Sequence, residues 1–138
     1  MTNVAISTGN FFFERSLVAA VGYFRPYRYA HDWDFLLRCL LFTEPVFVAE
    51  PLYSYRLHAH NSFISLASVA AIECPELMRR FVRATITGRY PNRLAPSPRN
   101  SPGYFEVFLE EHGCQPYLVG WSDVDDVVYS GEQSTVTT

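Results

Sequence analysis

The stretch from Tyr29 to Arg38 constrains the fold of this chain more than any other. Two carboxylates, Asp32 and Asp34, flank a tryptophan at the start of an apolar run. The apolar side chains recur at helical spacing, at Trp33, Leu36, Leu37, Leu40 and Leu41. Asp32 stands where an N-cap is expected, because a carboxylate there accepts hydrogen bonds from unpaired N–H groups of the first turn. The pattern therefore predicts a helix that starts at Asp32 and buries one face.

Two other helices are predicted from capping residues and spacing. Ser16 is a suitable N-cap for a short helix over 17–21, which Gly22 would end. The segment 65–87 has a helical pattern, and a break is predicted before Pro75.

The remaining segments have weaker signals. Residues 88–103 contain four of the prolines and are predicted to form an irregular connector. A short amphipathic helix is predicted over 104–112. Short strands or extended segments are predicted over 4–6, 46–48, 51–57 and 117–121.

Composition limits the classes of protein to which the chain can belong. A chain of 138 residues forms one domain at most, and 49% hydrophobic with 18% charged residues is typical of a folded globular protein. The net charge of -3 argues against a nucleic-acid partner. No signal peptide or membrane span is predicted. Cys39, Cys74 and Cys114 form no close pair, so we expect them to be reduced in a cytoplasmic protein.

Asp32 has two interpretations. It could act as the general base that takes a proton from an attacking hydroxyl, since a loop-to-helix junction holds a carboxylate on rigid backbone. It could equally be a helix cap, because Asp is among the preferred N-cap residues. Spacing alone favours the cap.

Three other places carry candidate chemistry. His58 and His60 lie two residues apart in an extended segment, a spacing that a metal ion can use. Gly9 could permit close approach to the backbone or supply a positive φ in a turn. Asp123 and Asp125 could hold a cation as hard oxygen ligands, although an acidic surface turn is the more common meaning of such a pair.

In order and spacing, segments 7–15, 29–38 and 51–58 resemble the second half of a family 2 glycosyltransferase domain. That family commonly has Glu-Asp-x-Asp, where this chain has His31-Asp32-Trp33-Asp34. It also has a Tyr-Arg-x-His signature, which Tyr55 to His58 match. The resemblance implies an α/β fold: a partial GT-A fold that lacks its N-terminal nucleotide-binding half, with a mostly helical C-terminal extension.

The resemblance also implies roles for particular residues. Asp32 would be the catalytic base of an inverting sugar transfer, and His58 would lie near a metal ion and the donor diphosphate. The substrate-binding residues would be Gly9, Asn10, His31, Trp33 and Asp34. The complete enzyme would use a divalent cation, Mn²⁺ or Mg²⁺.

The resemblance divides the chain into an acceptor-side and catalytic-base half over 1–64, a helical extension over 65–129 and a disordered tail over 130–138. The partners expected of the complete enzyme are a nucleotide-sugar and a glycan or lipid-linked acceptor. Its location would be cytoplasmic, with the inner face of the membrane as one alternative. The isolated chain would be inactive unless a partner chain or a homo-oligomer completes it.

Two alternatives to an incomplete transferase follow from the sequence. The chain could be a non-catalytic glycan-binding or protein-binding module derived from that fold. It could also be a permuted enzyme that uses Asp123 and Asp125 as metal ligands.

Overall fold

The computed structural model describes residues 7–56, 58, 61, 65–103 and 105. A 3₁₀ turn, Thr8–Asn10, comes first in this part of the chain. It is followed by helices α1 (Arg15–Val21), α2 (His31–Leu40) and α3 (Ala67–Ile86).

The described part of the chain is helical, and the predicted α/β fold is wrong for it. The residues predicted as strands over 46–48 and 51–56 belong to no sheet. A strand is stable only when its N–H and C=O groups pair with a neighbouring strand, and no such neighbour lies among the described residues. Pro45 and Pro51 also lack the N–H donors that a ladder needs. The strands predicted over 4–6 and 117–121 lie outside the described residues.

Helix α1 confirms the predicted short helix but starts earlier. It begins at Arg15, with Glu14 rather than Ser16 in the N-cap position. It ends at Gly22, as predicted, and the φ of +85° at that residue explains why glycine is suitable there.

Helix α2 confirms the predicted apolar helix, although the predicted N-cap is wrong. The helix begins at His31 with Ala30 as its N-cap residue, and no side chain caps it. Asp32 is therefore the second helical residue. The N–H groups of the preceding loop are held instead by Glu73 of α3. A contact from a distant part of the chain thus positions the loop that leads into α2.

Helix α3 runs through Pro75 without the predicted break. A proline inside a helix removes one hydrogen bond and costs about 3 kcal/mol. The helix continues because the residues just beyond Pro75 are firmly packed. Leu77, Met78, Phe81 and Val82 are all buried against α2.

One hydrophobic core lies between α2 and α3. Helix α2 and the residues at its two ends contribute Ala30, Trp33, Leu37 and Leu41 to this core. Ala95 and Phe105, which follow α3 in the chain, also pack in it. Outside this core, Phe35 of α2 packs against the rings of Phe13 and Phe24, at ring-centre distances of 4.9 and 4.5 Å.

The proline-rich connector is irregular, as predicted, but it packs against the end of α2. Asn92 accounts for this contact: its side-chain amide donates to Leu40 O at 2.7 Å, and its backbone N–H donates to Leu41 O at 3.0 Å. These bonds satisfy carbonyl groups that the last helical turn leaves unpaired. The helix predicted over 104–112 lies, apart from Phe105, outside the described residues, as does the predicted tail.

None of the helices in the described ranges is both long enough and apolar enough to cross a membrane.

Candidate functional site

The structure brings together side chains from all three segments of the sequence signature. The hydroxyl of Thr8 lies 3.4 Å from Nε2 of His31 at the start of α2. The hydroxyl of Ser7 lies 2.8 Å from the phenol oxygen of Tyr53. Residues that are 23 and 46 positions apart in sequence are therefore direct neighbours. We call this cluster, formed by Ser7, Thr8, Gly9, His31 and Tyr53, the convergence site.

Gly9 lies directly against the ring of Tyr53. A Cβ atom at this residue would lie 2.7 Å from Cε2 of Tyr53, closer than real Cβ contacts allow. Among the described glycines, only Gly22 and Gly88 have a positive φ. The sequence left open whether Gly9 permits close approach of substrate to the backbone or supplies a positive φ; its φ is not positive, and the approach of substrate stays a prediction. The group in contact is a ring of this chain.

Asn10 closes the 3₁₀ turn that carries Thr8 and Gly9. Its side-chain oxygen accepts a hydrogen bond from the N–H of Ser7 at 3.1 Å. The side chain is exposed, and its predicted role in substrate binding stays a prediction.

Asp32 is largely buried beside the convergence site. Its side chain is 8% exposed, and Oδ1 accepts the backbone N–H of Trp33 at 2.8 Å. The carboxylate lies in the first turn of α2, where the helix dipole favours a negative charge. Its role as a general base stays a prediction.

The charge of Asp32 acts on two groups that the sequence did not indicate. Burial raises the pKa of Tyr29, and the charges of Cys74, Asp32 and Tyr55 raise it further. Burial also raises the pKa of Cys74, with smaller contributions from Glu73 and Asp32. The carboxylate of Asp32 therefore lies within electrostatic range of one phenol and one thiol.

Asp34 has a different environment from Asp32, although both were predicted to serve the site. It is 1% exposed, and its two oxygens bind Arg25 at 3.1 Å and Arg38 at 2.8 Å. Arg38 also donates to the carbonyl groups of Val21 and Tyr23, at 2.6 and 2.8 Å. This network fastens the end of α1 to α2.

Trp33, which was predicted to bind substrate, is a member of the hydrophobic core and is 8% exposed. Its predicted contact with substrate is not tested by this placement.

Glu73 is the most important positioning residue that the sequence did not reveal. Its carboxylate accepts the backbone N–H groups of Arg28, Tyr29 and Ala30 at 2.9, 2.8 and 3.0 Å. Burial alone would raise the pKa of Glu73, but these hydrogen bonds outweigh it and the pKa is lowered. No local pattern indicates that a glutamate in the middle of a helix would hold a loop more than forty residues away.

His58, the predicted metal ligand, is exposed, and its backbone N–H donates to the side chain of Asn61. Asn61 is buried and also donates to the phenol of Tyr55 at 2.9 Å. Within the described ranges, no three His, Cys, Asp or Glu side chains are close enough to share a metal ion. The divalent cation of the complete enzyme stays a prediction. His60, Asp123 and Asp125 lie outside the described residues.

Comparison of the chain with protein-family models, curated proteins and solved structures found no significant match. The resemblance to family 2 glycosyltransferases therefore depends on the sequence motifs themselves.

Proposed function

We propose that this chain supplies the acceptor side and the general base of a glycosyl-transfer site. The nucleotide-sugar donor would be held by a second segment or a partner chain. The convergence site is the observation that supports this proposal. Side chains from the three motif segments meet at the start of α2, next to Asp32.

The proposed chemistry needs one well-placed carboxylate. As the acceptor oxygen attacks the anomeric carbon, its proton passes to Asp32. The bond between that carbon and the diphosphate breaks, and the electron pair leaves with the nucleoside diphosphate. A positioned base of this kind typically contributes about 10²–10⁴-fold to the rate.

The surroundings of Asp32 are suited to holding such a base. Glu73 fixes the loop before α2, and the ion pairs of Asp34 fix the first turn of the helix to α1. A general base must be held to within about 0.5 Å of its working position. These contacts restrain the backbone on both sides of Asp32.

A second candidate is a non-catalytic glycan-binding or protein-binding module. The observation that favours it is the exposure of large rings, since Phe12, Tyr23 and Phe47 are 95%, 84% and 89% exposed. Exposed rings of this kind can stack on sugars or contact a protein partner.

The experiment that tests the proposal measures sugar transfer in an extract of cells from which the gene for this chain has been deleted. Radiolabelled UDP-sugars and GDP-sugars are added one at a time, and incorporation into glycan is measured. Purified wild-type chain, Asp32→Asn or Arg93→Gln is then returned to the extract. Arg93 is exposed and serves as the control.

We expect deletion to reduce incorporation from one donor and the wild-type chain and Arg93→Gln to restore it. Asp32→Asn, shown to be folded by circular dichroism, should restore about a hundredth or less. Full restoration by Asp32→Asn would exclude the base and favour the binding module. Unchanged incorporation after deletion would contradict a part in glycosyl transfer.

A further inference from the structure

A cleft of about 330 Å³ lies between α2 and α3, away from the convergence site. Four arginines line it: Arg25, Arg38, Arg80 and Arg83. Asp34 is the carboxylate in the lining, and its two oxygens pair with Arg25 and Arg38. The floor is apolar and consists of Leu37, Leu41, Leu77, Phe81 and Ala84.

Arg25 and Arg80 have N–H groups beyond those that bind Asp34 and Glu76. Nη1 of Arg25 binds Asp34 at 3.1 Å, and Nε of Arg80 binds Glu76 at 2.8 Å. Within the described residues, the other guanidinium nitrogens of these two arginines have no recorded protein partner. Their side chains are 37% and 52% exposed, so a ligand can reach them.

Tyr27 provides an independent observation at the same place. Arg25 and Arg80 also line a smaller adjoining recess of about 150 Å³, together with Pro26 and Tyr27. The phenol oxygen of Tyr27 is buried and has no hydrogen-bond partner in the described part of the chain. A buried hydroxyl without a partner is unfavourable, and an acceptor oxygen from a ligand would offset this cost.

We propose that this cleft binds the phosphate group of a small organic phosphate. The phosphate oxygens would accept hydrogen bonds from Arg25, Arg80 and the hydroxyl of Tyr27. Guanidinium groups are well suited to phosphate because their planar N–H pairs match its oxygens. The organic part would lie on the apolar floor between the helices. This inference does not depend on the proposed glycosyl transfer.

The test is a calorimetric titration of the full chain with inorganic pyrophosphate and with glycerol 3-phosphate, without added metal. Four proteins are compared: wild type, Arg80→Gln, Tyr27→Phe and Arg79→Gln. Arg79 is the matched control because it binds the same partner, Glu76, at 3.4 Å but lines neither the cleft nor the recess.

We expect the wild type to bind both probes. Arg80→Gln should weaken binding roughly tenfold or more, since a hydrogen bond to a charged group contributes about 1.5–3 kcal/mol. Tyr27→Phe, which keeps the ring, should weaken it several-fold. Arg79→Gln should bind within about twofold of the wild type, because exposed ion pairs contribute little.

A second titration with vesicles containing phosphatidic acid identifies the source of the phosphate. Binding to vesicles that is lost in Arg80→Gln would assign the cleft to a lipid headgroup. Binding to the soluble probes alone would assign it to a soluble phosphate ester. An equal loss in Arg79→Gln and Arg80→Gln, or no binding of any probe by the wild type, would overturn the proposal.

Discussion

Asp32 and Asp34 lie two residues apart in the first turn of α2 and differ in what their carboxylates bind. Asp34 has a guanidinium partner for each oxygen. Asp32 accepts the N–H of Trp33, and its neighbours include Tyr29 and Cys74. Asp34 thus has the contacts of a positioning residue, whereas Asp32 has the surroundings in which a proton acceptor can work.

Replacing Asp34 tests its role at the scale of one residue. Asp34→Asn removes a buried charge that two arginines share, and it places an amide N–H against one of them. We expect the free energy of unfolding to fall by about 3 kcal/mol. The measurement is urea unfolding followed by circular dichroism. Glu76→Gln, which removes an exposed carboxylate that also binds two arginines, is the control and should change little. Equal effects would contradict the assignment.

Cys39 should be unreactive in the folded protein. Burial raises the pKa of its thiol from 9.0 to about 11, so the thiolate that reacts with alkylating reagents is reduced roughly a hundredfold. Mass spectrometry of protein treated with iodoacetamide at mildly alkaline pH should show slow modification of Cys39, and rapid modification after unfolding in urea. Equal rates before and after unfolding would show that the thiol is not buried.

At the scale of the elements, α3 determines where α2 begins. Glu73 accepts hydrogen bonds from three backbone N–H groups of the loop before α2. The following turns of α3 pack against α2 in the core. Pro75, which α3 passes without a break, lies two residues after Glu73. Packing of α3 therefore serves both the stability of the chain and the position of Asp32.

Glu73→Gln should change how stability depends on pH. The folded pKa of Glu73 is below its ordinary value of 4.5, so the unfolded state binds the proton more tightly. Its contribution to stability is present above that value and is lost as the pH falls through the folded pKa. At neutral pH the variant should be less stable by about 2 kcal/mol, and the difference should shrink in acid.

Urea unfolding at a series of pH values measures this effect. Glu14→Gln is the matched control, because Glu14 is exposed and its recorded side-chain partner is Ser16. A difference between wild type and Glu73→Gln that stays constant from neutral pH into acid would contradict the assignment.

Local sequence patterns predicted the helices well and the tertiary contacts poorly. Spacing and a terminal glycine located α2 and the end of α1, because both depend on neighbouring residues. The continuous helix through Pro75, the bonds of Glu73 to the loop before α2 and those of Asn92 to the end of α2 depend on residues far away in sequence. A short apolar run suggested a strand over 46–48, and alternating sides suggested an extended segment over 51–57, but pairing decides whether a strand forms.

The candidate site was predicted in part. The motifs identified Gly9 and His31, and the structure places both in one cluster. Tyr53 and Ser7 were missed because their contact joins residues 46 positions apart, which no local pattern links. Trp33 and Asp34 were predicted to bind substrate, and the contacts that the structure shows for them are with the core and with arginines.

At the scale of the whole molecule, residues 43–53 form an exposed apolar segment. Val46 and Phe47 are each 89% exposed, and Leu52 is 73% exposed. Patches of this kind commonly mark a contact with another protein. The exposure agrees with the expectation of a partner chain or a homo-oligomer, which stays a prediction.

Phe47→Asp tests whether this segment associates. In sedimentation velocity we expect the wild-type chain to associate as its concentration rises and Phe47→Asp to remain closer to a monomer, because a charge in an apolar contact is unfavourable. Leu94→Asp is the control, since Leu94 is 72% exposed on the proline-rich connector. A wild-type monomer at every concentration, or the same effect in the control, would contradict the prediction.

Nuclear Overhauser spectroscopy of the folded chain tests most directly whether the three motif segments form one site. A Cβ atom at Gly9 would lie 2.7 Å from Cε2 of Tyr53, so the Hα proton that points there must lie close to the ring. We expect a strong cross-peak between the Hα protons of Gly9 and the ring protons of Tyr53. Its absence, with both residues assigned, would show that the segments do not meet.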